Sequence, residues 1–150
     1  MGKDRKSVSD IVITRLFGLM CFLGILFMLD YFRAYIDSEL YSASVFFLRG
    51  NTELIVYMAV IYAAGEVFGS LNFPLNLPSP VMNAVASVFL ADFIFRMLSF
   101  VGYITAEETF GVFQEFRPYV FPLIFVIVLL GGYFIIFSGL LSNKKKRYKD

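Results

Sequence analysis

VMNAVASVFLADFIFRMLSFVG, Val81 to Gly102, is long and apolar enough to cross a bilayer, yet it carries Asp92 and Arg96 near its middle. An α-helix of about 20 apolar residues spans the hydrocarbon core, and a charge at its centre costs about 3 kcal/mol or more unless it is paired or turned from lipid. Asp92 and Arg96 stand at i and i+4, so one helix face holds both and they can pair while that face turns toward protein or water. The stretch predicts a membrane protein with a polar interior.

On its N-terminal side lies PLNLPSP, Pro74 to Pro80, with three prolines and no charge. This reads as a tight turn in which Ser79 caps and Pro80 starts the helix. So short a connection makes the next apolar stretch, 54–73, an antiparallel neighbour. Thr52 is its expected N-cap, Glu53 suits the first turn, and Glu66 interrupts it. Upstream, Leu40, Ala43 and Phe47 recur at helical spacing within 37–53, which suits a short interfacial helix. The first span, 11–33, is interrupted by Arg15. A signal peptide would end in small residues, whereas Asp30, Tyr31, Phe32 and Arg33 are charged or bulky, so an uncleaved span is expected. Lys6 stands where a myristoylation signal needs Ser or Thr, and no lipid anchor is implied.

On the C-terminal side, Thr105 and Glu108 match a capping box, and Phe110, Phe113 and Phe116 suggest a second interfacial helix over 106–116. Arg117 and Pro118 are read as its end. Residues 119–141 then run without a charge, with Pro122 in the first turn and the pair Gly131 and Gly132 further on. The expectation is an all-α integral membrane protein: a four-transmembrane-helix bundle with spans near 11–33, 54–73, 81–102 and 119–141, and short interfacial helices in the two outer loops. The whole chain forms one domain, flanked by basic tails at 1–10 and 142–150.

Composition agrees with this class. Of 150 residues, 59% are hydrophobic and 17% charged, with a mean hydropathy of +0.74, outside the usual range of soluble domains. There is one cysteine, Cys21, and no histidine, so the ligands of a zinc site are missing and no metal or other cofactor is expected. Without a nucleophile beside a base, an enzyme is not expected either. No nucleotide-binding motif, nucleic-acid signature or internal repeat is present.

Lys3, Arg5, Lys6, Arg15, Lys144, Lys145, Lys146, Arg147 and Lys149 gather at the termini, against Arg33, Arg49 and Arg117 near the two long loops. The positive-inside rule places both termini in the cytoplasm. The opposite side carries Asp30, Asp37, Glu39, Glu53, Glu107, Glu108 and Glu115, read as a solvated rim. Lys144, Lys145, Lys146, Arg147 and Lys149 orient the chain and can also hold anionic lipid headgroups. Asp30 and Arg33 are expected to pair along the first helix, and Arg15 to extend toward headgroups.

Chemistry concentrates at Glu66, Asp92 and Arg96. Counted from the shared turn, Glu66 and Asp92 fall at comparable depth, so two acids are expected to face one arginine, with Tyr62 one turn from Glu66. Such a surplus carboxyl must keep a proton or find a cation elsewhere. It suits a small proton- or cation-coupled transporter, or a subunit awaiting a partner. Gly65 and Gly69, Ala59 and Ala63, and Ser87 and Ala91 are each four apart, a spacing that lets helices approach closely, within the chain or between chains. The preferred expectation is a non-enzymatic subunit or accessory protein of a larger membrane complex, since intramembrane ion pairs commonly serve packing. Its partners would be membrane lipids and other membrane subunits or further copies of itself.

Arg15 followed by Gly18 in the first span, and Glu66 followed by Gly69 in the second, resemble the DoxX-like membrane proteins, as does the outline of four spans with cytoplasmic ends. The resemblance covers two short patches; PLNLPSP and the pair Asp92 and Arg96 lie outside it, and no function is carried over.

Overall fold

The computed structural model describes residues 8–106 and 109–147, and every element among them is helical. In chain order these are α1 (Val8–Phe32), α2 (Glu39–Gly50), α3 (Thr52–Ser70), α4 (Pro78–Thr105), α5 (Thr109–Glu115) and α6 (Arg117–Arg147). Four stretches, α1, α3, α4 and Arg117–Leu141 of α6, are long and apolar enough to cross a membrane. Glu108 of the expected capping box and Lys149 lie outside the described residues, as do the side chains of Lys144, Lys145, Lys146 and Arg147.

Helix ends differ from expectation where a polar side chain bonds to a carbonyl of the preceding turn or of another helix and does not cap the helix that follows. Thr52 does not cap α3; its hydroxyl donates back to the Leu48 carbonyl at 3.0 Å. Asn51 alone separates α2 from α3, its backbone N–H closing α2 on Phe47 and Leu48 and its side-chain amide donating to the Phe47 carbonyl at 2.8 Å. Ser79 is likewise not a cap, because its hydroxyl is buried and donates across to the Gly65 carbonyl at 2.7 Å. The helix starts earlier, at Pro78, since proline fits the first turn where its missing N–H is not needed. It ends at Ala106, whose left-handed backbone (φ 54) returns an N–H to Gly102. Arg117 opens α6 rather than closing the preceding helix.

Small residues set the packing. A Cβ on Gly65 would strike the Asn83 side chain, and one on Gly69 would lie 3.0 Å from Ser79 Oγ. Both glycines therefore serve the chain's own α3–α4 seam, with Ala84, Ala86 and Ala91 buried on α4. Ala59, Ala63 and Ser87 are half-buried. On the other side of α4, a Cβ on Gly132 would come within 2.7 Å of the Pro80 ring, so α6 also approaches closely. Helix α1 packs on α3, and the Tyr41 hydroxyl donates to the Leu29 carbonyl at 2.8 Å, joining α2 to α1.

Among the described residues the packing order is thus α1–α3–α4–α6, a row rather than a closed ring, because the two small-residue seams both belong to α4 while α1 and α6 share none. Large apolar side chains such as Met20, Phe27, Phe134 and Ile135 face outward. On a multi-pass membrane protein, that surface meets lipid.

Candidate functional site

Two charged centres lie at opposite ends of the row. Near the turn that joins α3 to α4, Arg15 of α1 grips Glu66 of α3 with two donors: Nε lies 2.9 Å from Oε2 and Nη2 meets Oε1. Such a forked guanidinium–carboxylate contact fixes orientation as well as charge. The two side chains remain 48% and 41% exposed, respectively. One turn away on α3, the Tyr62 hydroxyl lies 3.3 Å from Ser87 Oγ, a second polar link between α3 and α4.

At the other end, Asp92 is held from two sides. Arg96 Nε donates to Oδ2 at 2.8 Å, and Arg117 Nη2 from the start of α6 donates to Oδ1 at 2.6 Å. Arg96 also donates to Asn51 Oδ1 at 3.3 Å. The Arg117 guanidinium sits between aromatic rings, 5.7 Å from the centre of Phe95 and 5.9 Å from that of Phe121, where ring faces attract a cation. Only 18% of the Asp92 side chain is exposed. Gln114 of α5 donates to the Phe95 carbonyl at 3.0 Å, closing this end of the molecule over α4. The centre thereby joins the α2–α3 junction, α4, and the start of α6.

This arrangement corrects the expectation of one cluster in which Glu66 and Asp92 face a single arginine. The first turns of α4 already lie beside Gly65 and Gly69, so Glu66 is level with the beginning of α4. Asn83, which abuts Gly65, stands nine residues before Asp92, about 14 Å of helix. Charge balance changes too. Two carboxylates meet three guanidiniums, from Arg15, Arg96 and Arg117, in place of a surplus acid.

Other pairings also cross between helices. Asp30 takes Arg49 of α2 at 3.2 Å, not Arg33, and Arg15 turns to Glu66 rather than to headgroups. The i,i+4 pair of Asp92 and Arg96 is as expected, whereas Arg15, Asn51 and Arg117 were not read as members of a site. Their signal lay in depth: Arg15 near the start of α1 and Glu66 near the end of α3 must share one side of the membrane once four spans are drawn.

Comparisons with known protein families, with characterised proteins and with solved structures find no match to this chain.

Proposed function

We propose that the chain is a non-enzymatic subunit or accessory protein of a larger membrane assembly, joining its neighbours along the face where α1 and α3 meet. The Arg15–Glu66 pair carries this reading, because nearly half of each side chain is left uncovered on helices long and apolar enough to cross a membrane. Desolvating an ion pair in hydrocarbon is unfavourable, and a polar or small-residue helix of another chain, or of a second copy, relieves that cost. A transporter using intramembrane carboxylates is the other reading. The surplus acid that suited either role is balanced by guanidiniums on Glu66 and Asp92, so assembly keeps first place on the exposed Arg15–Glu66 pair and not on charge imbalance.

In this reading the chain is a bundle of four spans with both termini cytoplasmic. α2 and α5 then rest on the opposite surface and the α3–α4 turn faces the cytoplasm. With Cys21 replaced, cysteines at Ser7 and Ser142 are expected to be shielded from an impermeant thiol reagent in intact cells, while one at Ser44 labels; the reverse pattern overturns the orientation.

The assembly itself is tested with Glu66→Gln, which keeps the shape and hydrogen bonding of the side chain but not its charge. Gently extracted wild-type protein should run at a mass above that of one chain, and the variant should lose the added mass at matched expression. A wild-type protein that runs alone and shows pH-dependent flux in liposomes, abolished by Glu66→Gln, would establish transport instead.

A further inference from the structure

Under α2, at the end of the molecule away from the α3–α4 turn, lies a cleft of about 660 Å³, within the range of small-molecule sites. Phe47 and Phe100 stack in it, ring centres 4.5 Å apart. Arg33, Glu39 and Ser42 also line it, and among the described residues none of these three side chains makes a hydrogen bond or ion pair. Arg33 is left so because its neighbour Asp30 is engaged by Arg49. The cleft therefore offers a cation, an anion and a hydroxyl, all unengaged among the described residues, around an aromatic floor.

Depth narrows the ligand. α1 has 25 residues, about 37 Å of helix, which exceeds the roughly 30 Å hydrocarbon core. In the proposed four-span reading, on which this inference rests, residues just past its end, Arg33 and Glu39 among them, stand at the headgroup layer. We infer that the cleft binds a phospholipid whose head carries a primary ammonium beside its phosphodiester, the ethanolamine class. Arg33 and the Ser42 hydroxyl donate to the phosphate oxygens, Glu39 accepts from the ammonium, and Phe47 and Phe100 receive the glycerol and the first methylenes. An anionic head leaves Glu39 facing like charge. A quaternary ammonium has no N–H to donate to Glu39.

The test uses the full-length chain in detergent with phosphatidylethanolamine, phosphatidylcholine or phosphatidylglycerol of identical short acyl chains, bound lipid being read by native mass spectrometry. The ethanolamine lipid should bind about tenfold more tightly than the other two, the scale of one charge-assisted hydrogen bond. Arg33→Gln should weaken the ethanolamine and glycerol lipids alike. Glu39→Gln should bring the ethanolamine lipid down to the level of the choline lipid without weakening the glycerol lipid. Both positions are exposed, so the variants should keep wild-type helix content by circular dichroism. Equal binding of all three lipids to wild type, or a preference that survives both substitutions, overturns the site. Soluble phosphoethanolamine should not compete at matched concentration, and competition would assign the cleft to a free headgroup compound instead of a lipid.

Discussion

Arg15–Glu66 and Asp92–Arg117 are both guanidinium–carboxylate pairs that bridge two helices, yet the chain covers them very differently. Asp92 is 18% exposed and gripped by a second arginine; Glu66 is 41% exposed on the α1–α3 face. The covered pair acts as a clamp that joins α6 to α4. The uncovered pair joins α1 to α3 with nearly half of each side chain exposed. The same chemistry thus ties helices together in covered surroundings at one end and in open surroundings at the other, and in the proposed reading burial separates a folding role from an association role.

Asp92→Asn should have the largest effect on the isolated chain. It leaves two guanidiniums facing each other, one of them lodged among rings, where its buried Nε already has no hydrogen-bond partner among the described residues. A loss on the order of 3 kcal/mol is expected in unfolding titrations in mixed micelles. Adding Arg117→Gln should recover part of it, and strictly additive losses would remove the clamp. Gly132→Ala comes next, at about 2 kcal/mol, because its Cβ meets the rigid Pro80 ring and α6 must shift. Gly139→Ala, with nothing near the new methyl, should be neutral or slightly stabilising.

Arg96→Gln should cost less, about 1 kcal/mol in the same titration, since the side chain is half exposed and Arg117 still holds Asp92. Smallest among the charge substitutions in micelles is Glu66→Gln, at less than about 1 kcal/mol once screening of so exposed a pair is counted. A micellar loss equal to that of Asp92→Asn would erase the contrast between the two centres.

The four long apolar helices were legible because a run of about 20 apolar residues has few uses other than crossing a bilayer. Stretches read as 54–73 and 81–102 became Thr52–Ser70 and Pro78–Thr105, shifts caused by Asn51 and Pro78. The site was legible only along a helix. Spacing exposes an i,i+4 pair such as Asp92 and Arg96, but it is blind to which helix arrives alongside. Arg15, Arg49 and Arg117 each found an acid on another helix, and in one case, Asp30, that acid was claimed from an i,i+3 neighbour. The depth of Glu66 is hidden for the same reason: Ser79 is already buried against Gly65 within the first turn of α4, so α3 and α4 overlap from the start of α4 onward.

A row of helices, unlike a ring, has two edges, and here they differ: α1 stands at one and α6 at the other. If two copies meet α1 to α1, the contact is isologous, a two-fold axis closes it, and the assembly stops at a dimer. If α1 of one copy meets α6 of the next, each addition leaves a fresh edge, and the result is a chain that grows in the membrane plane until curvature closes it. A partner that covers the α1 edge would stop such growth, so which edge is covered, and not the helix order alone, would set the number of copies.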